Sequence, residues 1–161
     1  VTISARSYGS TADVAARVPG AYTDATTKLF TTATNPTLTT VETYIDEISA
    51  IANVALADAR FAIPVTQADA KKAIGSMVND IAADMASASN SAGRFFTDRA
   101  LNGGLSMMAQ IRKDVREWVE ANAQGLENLG AERSPQVDTN TTMRVGVYRI
   151  TRGRMDDGRT I

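Results

Sequence analysis

Residues 36–88 read PTLTTVETYIDEISAIANVALADARFAIPVTQADAKKAIGSMVNDIAADMASA, and this stretch decides the fold. Thr39 and Glu42 stand three apart at the head of an apolar run, the spacing of a capping box. Val41, Tyr44, Ile45, Ile48, Ile51, Ala52 and Ala55 then recur at three- and four-residue steps, which places them on one face of a helix. The pattern fades at Asp58–Arg60. Phe61-Ala62-Ile63-Pro64 is too short for a helix, and Pro64 restricts Ile63 to extended backbone. Thr66 and Asp69 repeat the cap signal. Ala70, Ala73, Ile74, Met77, Val78, Ile81 and Met85 make a second stripe. Two helices joined by so few residues are expected to run antiparallel, stripe against stripe.

Upstream, Ser10, Thr11 and Asp13 can cap a brief helix that Pro19-Gly20 stops near Val18. Val1–Gly9 reads as an arm or a first extended segment. The Thr-rich stretch before Pro36 reads as a surface loop pinned to the core by Phe30.

Downstream, Ser87, Ser89, Asn90, Ser91 and Gly93 form a turn-rich stop. The adjacent Phe95 and Phe96 cannot both face one way, so at least one fills a neighbouring groove. Thr97 and Asp98 offer another helix start, which Gly103-Gly104 weakens by about 1 kcal/mol per Gly. Leu105, Met108, Ile111, Val115, Trp118 or Val119, Asn122, Leu126 and Leu129 then keep a helical rhythm to Gly130, a C-terminal stop. At 1.5 Å per residue this is a rod of roughly 37 Å. Lys113 with Glu117 and Arg116 with Glu120 are expected as pairs on its solvated side, each worth a few tenths of a kcal/mol.

From Glu132 the character changes. Arg133–Thr142 has almost nothing to bury. Met143–Ile150 alternates like a strand, with Val145 and Val147 on one side and Tyr148 and Ile150 on the other. The one weak partner for it in the chain is near Val1–Ile3, so the strand is expected to add to a sheet in another molecule. Arg144, Arg149, Arg152 and Arg154 add positive charge beside it.

The expected fold is therefore mainly α. Residues 1–131 make a small helical bundle with an antiparallel helix pair, one long C-terminal helix and a Thr-rich loop over 21–36. Residues 132–161 make an extended C-terminal arm containing a short β-strand. The expected core is Val41, Ile45, Ile48, Ile74, Met77, Val78, Ile81, Ile111, Val115 and Trp118. The expected partner-binding arm is Arg144, Val145, Val147, Tyr148, Arg149, Ile150, Arg152 and Arg154.

The composition narrows the function. The 161 residues carry 22% charged side chains and a net charge of −1, which argues against whole-chain affinity for nucleic acid or anionic membrane. There is no Cys and no His, so thiolate chemistry, the commonest metal ligand and the commonest general base are missing. No apolar run approaches the roughly 20 residues of a membrane span, and residues 1–17 have no signal-peptide h-region. Asp80 and Asp84 share a helix face, but a divalent ion wants more oxygens. Asp156-Asp157-Gly158 lacks the alternating oxygens of a calcium loop, and Gly103-Gly104 lacks the Lys-Ser/Thr of a phosphate loop. No enzyme activity, no catalytic residue, no metal and no cofactor are expected.

The segment Asn35-Pro36-Thr37-Leu38-Thr39-Thr40-Val41-Glu42-Thr43-Tyr44-Ile45-Asp46-Glu47-Ile48-Ser49-Ala50-Ile51-Ala52-Asn53 resembles the opening helix of tailed-phage head–tail connector (adaptor) proteins, where Pro-Thr-Leu leads into Val-x-x-x-Ile-Asp-x-x-Ser. Phe61–Thr66 resembles the inter-helix turn of that family. The resemblance covers about a third of the chain. It implies a structural virion component at the neck, made in the host cytoplasm. Such subunits form a ring, usually of twelve copies, under the portal, and a C-terminal arm reaches toward the portal. It implies as partners the portal protein, a tail or stopper protein and the subunit itself, with duplex DNA passing through unbound during genome ejection. Residues 1–143 carry more acids than bases, which suits such a passage, because affinity for a duplex rises with each phosphate neutralised. The competing expectation is a DNA-binding helical module such as a small packaging-terminase subunit. It would need a recognition helix with exposed basic side chains. Arg112, Lys113 and Arg116 are interleaved with Asp114, Glu117 and Glu120. A tail or capsid decoration protein is a third possibility.

Overall fold

A computed structural model describes residues 3–90 and 106–135, and the structure is mainly helical, with four α-helices and no strand among the described residues. They are α1 (Thr11–Arg17), α2 (Leu38–Asp58), α3 (Ala68–Asn90) and α4 (Met107–Asn128). A single 3-10 turn, Gly20–Tyr22, follows α1.

The central pair is α2 and α3. Tyr8 and Gly9 lie across both and fix their relative direction. Tyr8 N–H donates to Ser49 Oγ on α2 at 3.1 Å, and its carbonyl oxygen lies against Gly75 on α3. Gly9 packs between Ile45 of α2 and Val78 and Asn79 of α3. Ser49 is thus level with Gly75, and Ile45 with Val78, so the helices run antiparallel. Helix α4 packs against both, and α1 lies on α3 and α2.

One core joins these elements. Val41, Ile45, Ile48, Ile74, Met77, Val78, Ile111 and Val115 are buried in it, while Ile81 and Trp118 are partly buried at its margin. Leu56, Ala52 and Ala82 are fully buried, so the faces in contact are closely spaced where alanines meet. Helix α4 contributes Ile111, Val115, Val119 and Leu126 at steps of four, four and seven, and turns Arg112, Lys113, Asp114, Glu117 and Glu120 to solvent.

The start of α2 differs from the expected Thr39–Glu42 capping box. Thr37 is the N-cap: it has extended backbone and its hydroxyl accepts the Thr40 N–H at 3.3 Å. The helix therefore begins at Leu38, two residues before the expected cap would allow. Thr39 lies inside the helix, where its carbonyl accepts the Thr43 hydroxyl. Helix α3 likewise starts beyond Thr66, since Lys71 N–H donates to the Gln67 carbonyl as the first helical bond. It also runs past the expected stop at Ser87. Ser89 Oγ donates to the Ala86 carbonyl at 2.8 Å, so its hydroxyl is satisfied within the helix rather than breaking it.

The expected short first helix is α1. Ser10 caps it by accepting the Asp13 N–H at 3.1 Å. The Thr-rich loop is held inward by Phe30, 4% exposed. Asp24 organises its tip by accepting the N–H groups of Thr26 and Thr27, and those bonds hold its carboxyl below the usual carboxylate range.

Helices α2 and α4 end alike. Phe61 N–H donates to Leu56 and Arg60 N–H to Ala57; Ala131 N–H donates to Leu126 and Gly130 N–H to Glu127. This is the Schellman pattern, which needs a left-handed residue just past the helix. Gly130 (φ 88°) supplies it for α4, and Arg60 (φ 65°) for α2.

Candidate interaction surface

The two Schellman ends bring two short extended segments together. Ala62 N–H donates to the Glu132 carbonyl and Ser134 N–H to the Arg60 carbonyl, both at 2.8 Å, so Phe61 and Arg133 face each other in an antiparallel bridge. In this geometry the paired residues do not bond each other, and their side chains come close. Phe61 is 2% exposed. The Arg133 guanidinium covers its ring, and also donates to Glu127 and to the Ala59 carbonyl. Gln67 Nε2 donates to Glu132 Oε1 at 3.1 Å and closes the other side.

This corner lies at the end of the bundle where α2 hands over to α3. Ile63 (48% exposed) and Leu129 (41% exposed) belong to the two chain segments that meet there. Pro135, the last described residue, follows directly on this corner. The expected arm was to begin at Glu132, with a linker from Arg133. The structure instead ties Glu132 to Ser134 down to Arg60–Ala62. The reason is local: an antiparallel bridge needs only backbone, and the guanidinium supplies the burial that the sequence of the linker lacks.

The expected arm residues Arg144, Val145, Val147, Tyr148, Arg149, Ile150, Arg152 and Arg154 lie outside the described residues, as do Phe95-Phe96 and Gly103-Gly104. Of the expected surface pairs, Lys113 with Glu117 forms at 3.7 Å. Arg116 does not pair with Glu120; its guanidinium lies 3.4 Å from Asp58 and links α4 to the end of α2. Asp80 pairs with Arg17 at 2.7 Å. Among the described residues no cluster of three or more carboxylates, His or Cys could hold a metal ion, and no helix is long and apolar enough to cross a membrane.

Sequence reasoning missed Phe61 and Arg133 as a pair, and missed Tyr8, Asn53, Gly75 and Asn79, which meet at the α2–α3 groove. Ser49 and Asn79 interrupt apolar helix faces and are buried, at 2% and 4% exposure. That interruption was the available signal. Comparison with protein-family models, with curated proteins and with solved structures found no match to this chain.

Proposed function

We propose that the chain is a structural subunit of a phage neck, a head–tail connector that joins the portal to the tail side and rings the DNA passage. Two features of the sequence support this reading. Residues 35–53 resemble the opening helix of adaptor proteins, and Pro36, Thr37 and Leu38 of that segment start α2 in the structure. The charge is divided along the chain: residues 1–143 hold 16 acids and 12 bases, whereas residues 144–161 hold five bases and two acids. The acidic body is unsuited to gripping DNA, and the basic tail is suited to pairing with acids on a partner.

The observation that carries the reading is the clamped corner at Phe61 and Arg133. A tail that is to bridge two proteins must leave its own body from a fixed place, because slack at the root dilutes the effective concentration of its binding segment. The finer arrangement we propose is a helical bundle that contacts its own copies in a ring, with residues 136–161 as an arm and 143–150 as a strand added to a portal or neighbouring subunit.

The test mixes purified protein with portal rings and images the mixture by negative stain. The full chain is expected to crown the portal. A chain lacking residues 143–161 is expected to keep its circular dichroism per residue and to lose the portal. Unaltered portal binding by the truncated chain, or a nanomolar complex of the full chain with a preferred duplex DNA site, would overturn the proposal.

A further inference from the structure

The segment Ser4–Ser10 crosses the groove between α2 and α3 and is held there by side chains of both helices. Ser4 N–H donates to Asp46 Oδ1 at 3.0 Å. The Arg6 carbonyl accepts from Asn53 Nδ2 at 3.3 Å. Tyr8 N–H donates to Ser49 Oγ at 3.1 Å, and Ser10 N–H to Asn79 Oδ1 at 3.0 Å. Every second backbone position, 4, 6, 8 and 10, is therefore read by a helix side chain. The odd-numbered Ser7 adds a hydroxyl bond to Asp46 at 2.5 Å. Ser7 N–H donates to the Ser4 carbonyl at 3.0 Å, so residues 4–7 make a turn and residues 7–10 are the open part, in which the Tyr8 and Ser10 N–H groups, two positions apart, are both taken by helix side chains.

The groove also selects side chains. The Tyr8 ring is 7% exposed, and its hydroxyl donates to Asn53 Oδ1 at 2.6 Å while accepting the Val65 N–H at 3.1 Å. A phenol fills both roles at once, and a phenyl ring fills neither. At the next position a side chain would displace a helix contact: a Cβ on Gly9 would lie 2.5 Å from Asn79 Oδ1, the atom that holds Ser10 N–H, and 3.1 Å from Ile45. The groove floor is equally tight. A Cβ on Gly75 would lie 2.5 Å from the Tyr8 carbonyl oxygen, a backbone atom that cannot swing aside.

Such a set goes beyond what fastening a segment to a helix pair requires. Apolar contact alone would do that, as Phe30 does for the Thr-rich loop. We infer that the α2–α3 groove is a peptide-binding site specific for a Ser-Tyr-Gly-Ser segment, occupied in this chain by its own residues 4–10. Asp46, Ser49, Asn53 and Asn79 read the peptide, Gly75 makes room for it, and the Tyr8 pocket sets its specificity. The inference stands independently of the connector reading.

The test uses the full chain carrying Tyr8→Ala, which weakens the resident segment and leaves the groove intact. The ligand is a fluorescent peptide of residues 3–10 with blocked ends. Fluorescence anisotropy is expected to show saturable binding to the Tyr8→Ala chain, and the peptide is expected to raise its Tm. The wild-type chain, whose groove is filled, is expected to take up at least about tenfold less. The chain carrying both Tyr8→Ala and Gly75→Ala is expected to bind none, and a Tyr8→Phe peptide to bind roughly tenfold more weakly, the scale of a lost buried hydrogen bond. If Tyr8→Ala leaves the chain unfolded, a chain with Ser7→Ala and Tyr8→Phe replaces it under the same expectations. Failure of the peptide to bind either folded variant, or to refold an unfolded one, overturns the inference. Equal binding to the Tyr8→Ala chain with and without Gly75→Ala overturns it as well.

Discussion

The guanidinium carbon of Arg133 lies 4.5 Å from the centroid of the Phe61 ring. An arginine near the end of the described chain thus roofs an aromatic ring in the turn between the two central helices. A cation over a ring at a partly exposed site is worth about 0.5–1 kcal/mol. The same guanidinium serves Glu127 and the Ala59 carbonyl. Arg133→Ala is therefore expected to lower stability by about 1–2 kcal/mol in urea unfolding. Arg133→Lys is expected to recover less than half of that, because an ammonium cannot lie flat on the ring and reach both oxygens. A full rescue by Lys would show that charge alone matters there.

The left-handed backbone just past α2 is supplied by Arg60, where the matching place past α4 has Gly130. A side chain in that conformation costs about 1 kcal/mol or more. Arg60→Gly should raise the Tm, while Gly130→Ala should lower it. If Arg60→Gly is destabilising instead, the arginine side chain contributes more than its backbone strain costs.

Ile48 and Ile74 are both fully buried, on opposite partners of the central pair. Truncating either to Ala should cost about 2–5 kcal/mol. Lys71→Ala, on the exposed side of α3, should cost less than about 0.5 kcal/mol. Thermal or urea melts of the three variants check this directly, and parent-like melting of both Ile variants would place these side chains outside the core.

Burial pushes the Tyr8 phenol above its ordinary range, partly offset by the hydrogen bond from Val65 N–H. The unfolded chain then loses this proton at lower pH than the folded one. Stability from Tyr8 is accordingly complete below about pH 10, the ordinary phenol value, and declines as pH rises through and beyond it. Tyrosinate absorbance should show a late-titrating component from Tyr8, and Tyr8→Phe should remove that component together with its share of the alkaline loss of stability.

The helices were legible because apolar spacing is a strong, local signal. Val41, Ile45 and Ile48, or Ile111 and Val115, announce a buried face without any knowledge of what covers them. The caps were legible only in part. Thr37 and Thr39 carry the same hydroxyl, and what separates them is backbone conformation, extended at Thr37 and helical at Thr39, which the side-chain pattern does not reveal. The turn-rich look of Ser87 and Ser89 misled because a serine hydroxyl can bond back within a helix as readily as it can end one. The groove was not legible. Asp46, Asn53 and Asn79 look like ordinary polar helix positions until Tyr8, dozens of residues away, is seen lying beside them. The same holds for Arg133 and Phe61: a cation–ring contact leaves no periodic trace in sequence.

The bridge between Phe61 and Arg133 also has a bearing on how the protein is made. The central helix pair is complete by Asn90, yet the ring in its turn stays uncovered until a residue about 70 positions later has left the ribosome. At roughly 5–20 residues per second, that is a wait of about 4–14 seconds with an aromatic side chain exposed on a half-finished molecule. Full burial of Phe61 therefore waits for Arg133, and a nascent chain halted before that residue carries an aromatic patch that the longer chain covers.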